Sequence, residues 1–304
     1  MAQKRSVKKN YPDLHGIVLL NKPKGLSSNL ALQKVRHLFK AKKAGHTGNL
    51  DPMATGLLPC CFGDATKVAH LLINSDKTYL ARCVLGSQTD TGDATGEVIK
   101  TSKKTQATTA EIKQACLALS GDIQQIPPMY SALHHNGMRL YDLARQGKTV
   151  ERPPRPVTVH QFKLLENHAD YIDFEIKVSK GTYIRTLLED FAAELGTVAH
   201  MSALHRTETG IFSGEDMLTL EQLAESDPLA QHLIPMQQAL IEYPILKLSE
   251  QQTTDLIHGK TMAHDSKPDT YCLYDHSDQF LGIGIIDEGG RLKVKKLFLK
   301  SYQA

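Results

Sequence analysis

At 304 residues the chain is long enough for one large domain or two, with room for a real core. Hydrophobic residues make up 41% and charged residues 23%, ordinary values that exclude a wholly disordered, collagen-like or coiled-coil chain. The net charge of +3 conceals an asymmetry: residues 1–50 hold eleven Lys/Arg against one acid, so one end is built to meet a polyanion while the remainder is acidic.

The first fifteen residues read as a basic tail containing Lys4, Arg5, Lys8 and Lys9. Gly16 to Leu20 reads as a short buried strand ending in the turn Asn21 to Gly25. Ser27 or Ser28 can cap a helix to about Lys40, with Leu32, Val35, Leu38 and Phe39 on one face. Residues 45–56, GHTGNLDPMATG, have no apolar period and read as a long irregular loop of the kind that carries function. Thr78 to Leu85 and Ile172 to Val178 alternate as strands with one wet face. Thr108 to Glu111 is a capping box opening a helix, and another helix spans about Arg185 to Leu195 before Gly196. Residues 213–244 look helical and connecting. From Leu246 a short helix ending at His258 precedes strands at 270–274, 280–286 and 292–299.

Strands and helices mingle without regular βαβ alternation, which points to an α+β fold. The expected organisation is a tail over 1–15, a main domain over 16–244 and a small β-rich domain over 245–304. No apolar run approaches the roughly 20 residues of a membrane helix, and the N-terminus lacks the apolar stretch of a signal peptide, so a cytoplasmic protein is expected. The five cysteines form no CxxC pair, which argues against disulfides and a thiolate zinc site. Phosphate-loop, dinucleotide, HExxH and GxSxG signatures are missing, so neither a metal nor a cofactor is expected.

Three clusters can carry chemistry. Asp51, in the 45–56 loop, is either a loop carboxylate accepting backbone hydrogen bonds or a nucleophile or general base beside a basic approach surface. Arg185, in SKGTYIRT, falls in the first turn of a helix, where an unbalanced cation is disfavoured by the dipole and calls for an anionic partner; Asp51 is a candidate. Residues 125–155 combine a stiff Pro-Pro turn with Arg139, Arg145, Lys148, Arg152, Arg155, Tyr130 and Tyr141, a mixture suited to phosphate contact and base stacking, or to an ordinary solvated loop.

Taken together, LLNKPKGLSS, KKAGHTGNLDPMATGLLP, FGDATKVAHLL, KTYLARCVLGSQTDTGDATGEV, QIPPMYSALHHNGMRLYDLARQGKTVERPPRPV, SKGTYIRTLLEDFAAELG and HMSALHRTETGIF closely resemble the TruB family of tRNA pseudouridine synthases. The resemblance runs from about residue 16 to 212, and GHTGNLDPMATG is its most specific piece. It implies a mixed, largely antiparallel catalytic sheet and a substrate uridine at position 55 in the TΨC loop of tRNA. Asp51 would be the nucleophile, Tyr79 would stack on the flipped uracil and Arg185 would pair with the aspartate. His46, Tyr183 and Leu204 would complete the pocket, with Lys22 of KPKG on the substrate side. His134 and His205 depart from the family's usual lysine and arginine and put peripheral RNA contacts in doubt. The C-terminal segment resembles a PUA-type RNA-binding domain in size and texture. A monomer without an obligatory protein partner is expected. The competing readings are a non-catalytic RNA-binding protein and a hydrolase that uses Asp51 on a glycosidic bond.

Overall fold

The computed structural model describes residues 12–298; the four basic residues of the expected tail and Leu299 of the last expected strand lie outside them. The chain runs β1 (Gly16–Lys22), α1 (Ser28–Leu38), β2 (Ala44–His46), β3 (Thr55–Phe62), α2 (Ala69–Asn74) and β4 (Lys77–Leu85). The hairpin β5 (Ser87–Thr89) and β6 (Val98–Thr101) follows, then α3 (Thr109–Ala118) and β7 (Gly121–Gln125). A small hairpin, β8 (His134–His135) and β9 (Met138–Arg139), precedes α4 (Leu140–Arg145), β10 (Arg155–Asn167) and β11 (Ile172–Val178). The first part closes with α5 (Ile184–Glu194), β12 (Ala199–Thr209), β13 (Phe212–Ser213) and α6 (Leu220–Glu225). The C-terminal part holds β14 (Ile245–Lys247), α7 (Glu250–Ile257), β15 (Met262–Ala263), β16 (Asp269–Tyr274), β17 (Phe280–Ile286) and β18 (Arg291–Leu297).

The large sheet has the order β1-β3-β12-β4-β11-β10-β7, with β2 and β13 as short additions. Every pairing in it is antiparallel except β3 with β12, so the fold is α+β with a mixed, largely antiparallel sheet. On β11 the alternation is that of the sequence: Ile172, Phe174, Ile176 and Val178 are buried beneath α3 and α5, in one cluster with Phe162 and Phe191. On β3, by contrast, Leu57 to Phe62 are all buried, because α1 covers one face and α2 with the C-terminal sheet covers the other. A strand buried on both faces shows no period of two, which is why only its absence of polarity marks it.

One expectation needs correction. Residues 213–244 contain one six-residue α-helix and short 3₁₀ turns. They pair with the open edge of β1: Asn21 N–H donates to Leu218 O and Ile17 N–H to Ile234 O, both 2.8 Å, so the segment covers a sheet edge as well as connecting. The C-terminal five-stranded sheet, β14-β16-β17-β18-β15, is β-rich as expected, yet Cys272, Phe280, Ile283 and Phe298 share an apolar cluster with Ile17, Leu19, Leu57 and Met236. The two sheets are welded by a common core. Among the described residues no helix is long and apolar enough to cross a membrane.

Candidate active site

The 45–56 segment is shorter as a loop than its composition implies, since His46 ends β2 and Thr55 begins β3. Both β2 and β12 lie on the same side of β3, paired at its two ends, so the intervening residues 47–54 must bulge over the sheet where those strands part. The bulge is pinned at several points. Ser28 Oγ accepts from Leu50 N–H at 2.7 Å and donates to Leu50 O at 3.1 Å, Thr47 N–H donates to Pro59 O at 3.2 Å, and Gly25 N–H donates to Pro52 O at 2.7 Å. At Gly56, φ is +98° and a side chain would collide with the Arg206 backbone, so only glycine allows β3 and β12 to approach here.

This frame presents Asp51 to Arg185. Arg185 Nε lies 3.0 Å from Asp51 Oδ2, and its Nη2 donates to Oδ1 over 3.4 Å. The arginine side chain is 5% exposed and the aspartate 37%, so the carboxylate faces the opening and the guanidinium lies behind it. Arg185 also donates to Thr91 O at 2.7 Å and Tyr130 O at 2.8 Å, and its Nη1 stands 3.8 Å from Asp93 Oδ2. Its position in the first turn of α5 is thus balanced by two carboxylates and two carbonyl oxygens, as the helix dipole requires. Burial raises the Asp51 carboxyl above its ordinary value, Arg185 opposes that rise, and Asp93 reinforces it.

The other predicted residues divide. Tyr79, on β4 opposite Arg206, and Leu204, on β12, are buried in one apolar cluster with Leu50 and Met53 beside the loop. Tyr183, the N-cap of α5, accepts at its carbonyl from Gln125 Nε2 at 3.1 Å and donates its N–H to Gln125 Oε1 at 2.7 Å, and it lies within the electrostatic reach of Asp51 and Arg185. Burial raises its phenol. His46 Nδ1 accepts from Gly48 N–H at 3.4 Å, and burial followed by Arg206 lowers its pKa, so it is a neutral ring protonated on Nε2. Lys22, expected on the substrate side, is 0% exposed, and its ammonium donates to Pro23 O at 2.9 Å and Leu26 O at 2.6 Å. It fastens the turn before α1; burial lowers its pKa to about 8, and the nearby Asp51 carboxylate opposes that fall.

Asp93 and Arg206 were not singled out by sequence. Asp93 is buried, its Oδ1 accepting from Thr95 N–H at 2.9 Å and Thr95 Oγ1 at 2.6 Å, which aims Oδ2 at Arg185. Arg206 is 1% exposed and donates from Nε to Leu57 O at 2.7 Å and from Nη2 to Gly48 O at 3.5 Å, so it supports the loop over 47–54 from below. A signal existed for Asp93, which lies in the stretch KTYLARCVLGSQTDTGDATGEV. His205 faces the opposite side of the sheet, with Nδ1 2.8 Å from Thr55 Oγ1 in a cavity of about 620 Å³, and His134 is exposed on β8. Tyr141 lies beneath Arg139 and Arg145, with guanidinium carbons 5.7 and 5.5 Å from its ring centre.

The architecture matches a solved Cbf5-Nop10-Gar1 complex with a TM-score of 0.72 over 93% of this chain and 84% of that one, at 24% identity. That likeness is one of fold alone. Residues 36–184 match the model of the TruB family pseudouridylate synthase N-terminal domain. Residues 185–241 match the tRNA pseudouridylate synthase B C-terminal domain, and 244–298 match the pseudouridine synthase II TruB C-terminal model. A tRNA pseudouridine synthase B of Hydrogenovibrio crunogenus is 44% identical over 96% of both chains, and one of Francisella philomiragia is 46% identical over 96% of this chain and 97% of its own. The chain belongs to the TruB family and is a tRNA pseudouridine synthase.

Proposed function

We propose that the protein isomerises the uridine at position 55 in the TΨC loop of tRNA, acting in the cytoplasm as a monomer, with Asp51 as nucleophile. The observation that carries this reading is the partly exposed Asp51 carboxylate held by a buried arginine. A pure RNA binder needs cations and aromatics but has no use for a desolvated carboxylate so placed.

The reaction breaks the N1–C1′ bond, turns the uracil and joins C5 to C1′; C5 loses a proton and N1 gains one. Bonds are exchanged without oxidation or an energy source, so no cofactor is called for. The Asp51 carboxylate attacks an electrophilic carbon of the substrate, C1′ of the ribose or C6 of the base, and is expelled when the new bond forms. Arg185 keeps the carboxylate ionised and aimed through its two-point contact. A base inside a stacked loop is out of reach, so the nucleotide is flipped at a cost of a few kcal/mol. Stacking on Tyr79, with Leu204, Tyr183 and the neutral ring of His46 around the vacated space, offsets that cost. The C-terminal domain adds RNA contacts of the PUA type.

Incubation of unmodified tRNA with the protein alone, followed by mapping of pseudouridine, tests the reading. Pseudouridine at position 55 is the expected result. Pseudouridine elsewhere would overturn the site assignment, and release of free uracil would support a hydrolase.

A further inference from the structure

Arg185 is held from two sides by backbone. Its Nη1 donates to Thr91 O at 2.7 Å and its Nη2 to Tyr130 O at 2.8 Å, and the two carbonyls belong to segments far apart in sequence, the turn between β5 and β6 and the chain between β7 and β8. A guanidinium is planar and rigid, so it serves both carbonyls and the Asp51 carboxylate together only while the spacing of those carbonyls is kept. Neither carbonyl lies in a strand, so no sheet ladder sets that spacing. A side-chain bond joins the two segments instead: Tyr130 Oη donates to Asp90 Oδ2 at 3.1 Å, and Asp90 is the residue before Thr91.

Both ends of that bond are anchored. Asp90 Oδ1 accepts from Glu97 N–H at 2.9 Å and Asp90 N–H donates to Glu97 O at 3.0 Å, which closes the turn at its neck. Within the turn Thr91 Oγ1 donates to Asp93 Oδ1 at 2.9 Å, and Ala94 N–H and Met201 N–H donate to Met201 O and Gly92 O at 2.9 and 3.0 Å, fastening the turn to β12. On the other side Tyr130 stands at the foot of residues 125–155, where Tyr141 N–H donates to Ser131 O at 3.1 Å and the Gln125 side chain holds the backbone of Tyr183. Burial, and after it the hydrogen bond to Asp90, raise the Tyr130 phenol above its ordinary value, so it stays a donor. The result is a closed ring: the chain links Asp90 to Thr91, one guanidinium bridges Thr91 O and Tyr130 O, and Tyr130 Oη returns to Asp90.

We propose that Tyr130 is a positioning residue for the reaction: its hydroxyl, latched to Asp90, sets the spacing of the two carbonyls that hold Arg185 and so aims the Asp51 carboxylate. The sequence offers Tyr130 as one of several aromatics suited to base stacking; in the structure its hydroxyl and its carbonyl are both engaged within the protein. Breaking the latch leaves Arg185 its charge but lets the guanidinium turn out of its two-point contact with Asp51. The inference rests on Asp51 and Arg185 being the working pair, and it adds a residue that acts through the arginine.

The test compares wild type with Tyr130→Phe, which keeps the ring and the carbonyl, with Asp90→Ala, with the double variant, and with Asp90→Asn, whose amide keeps an acceptor for Glu97 N–H and a partner for Tyr130 Oη. Single-turnover rates on unmodified tRNA at saturating enzyme, tRNA dissociation constants and melting curves are measured for each. Tyr130→Phe should lower the rate about five- to tenfold, as loss of a hydrogen bond to a charged group at an exposed position implies, and leave affinity within about twofold, because phosphate contacts dominate binding. The double variant should be no slower than Asp90→Ala, since one latch breaks only once, and Asp90→Asn should recover most of the rate. The pH profile separates aim from mere support. Asp51 faces Arg185 from α5, Asp93 from the turn after β5 and Lys22 from the turn before α1, and of these Arg185 is the one Tyr130 holds. A loosened guanidinium opposes the effect of burial less, so the acid limb of Tyr130→Phe should move to higher pH. A wild-type rate or an unmoved acid limb in Tyr130→Phe would overturn the proposal, as would rate losses that add in the double variant, affinity that falls in step with rate, or lowered melting that accounts for the loss. Full turnover by Asp51→Asn would bring down the functional reading instead.

Discussion

Arg185→Lys preserves charge and tests whether the geometry of the guanidinium matters. In the native structure its nitrogens serve Asp51 at two points, the Thr91 and Tyr130 carbonyls on two separate loops, and Asp93 at 3.8 Å. An ammonium has three N–H groups radiating from one atom and cannot span these acceptors, so at least one carbonyl and one point of the carboxylate contact are abandoned. Hydrogen bonds from a charged donor are worth about 1.5–3 kcal/mol each, so the variant should lose about 2–4 kcal/mol of stability to urea. The misaimed carboxylate should lower turnover by about 10²–10³-fold, or about 3–4 kcal/mol of barrier. Single-turnover release of tritium from tRNA labelled at uridine C5 measures the step, because pseudouridine formation must expel that hydrogen. The pH profile adds an independent sign. Asp51 must be ionised to attack, burial raises its pKa and Arg185 opposes the rise, so Arg185→Met should push the acid limb to higher pH while Arg185→Lys moves it less. A lysine variant within about threefold of wild-type turnover, with both acid limbs unmoved, would refute the reasoning.

Much of this site was legible because its chemistry is local. Asp51 stands out from a stretch with no apolar period, and Arg185 was flagged by its conflict with a helix N-terminus, a conflict the structure resolves with Asp51 and Asp93. The residues that sequence reasoning missed act through long-range contacts. Arg206 reaches a loop about 158 positions earlier in the chain, and its strand carries two irregularities in register that erase the alternation a reader would count. The burial of Lys22 was not legible either, because the turn folds back so that its own carbonyls surround the ammonium. The C-terminal strands were visible from alternation and turns. Their shared core with the main sheet was not, since periodicity names a buried face without saying what buries it.

Asp51→Asn should abolish detectable turnover while leaving tRNA affinity within a few-fold, because the phosphate contacts that dominate affinity lie elsewhere; wild-type single-turnover rates would end the assignment. Lys22→Met tests burial of the ammonium by its pH signature. Folding lowers this pKa from 10.5 to about 8, so the native state binds fewer protons than the unfolded chain across that window, and wild-type stability should rise relative to the variant by up to about 1.4 kcal/mol per pH unit. Parallel stability curves for the two proteins from pH 8 to 10 would contradict it. The last prediction concerns a chain ending near Tyr243, which the sequence-based division into domains expects to fold alone. The structure argues otherwise, because removal of the C-terminal sheet strips Cys272, Phe280, Ile283 and Phe298 from the apolar cluster that covers Ile17, Leu19 and Leu57. Losing the burial of four such side chains costs about 6–12 kcal/mol, comparable with the about 5–15 kcal/mol that stabilises a whole domain. The shortened chain should therefore precipitate or bind a hydrophobic dye and lose its cooperative melting. A soluble product that melts cooperatively within a few degrees of the full protein would show that the shared cluster adds little, and the C-terminal sheet would then act on RNA rather than on the fold.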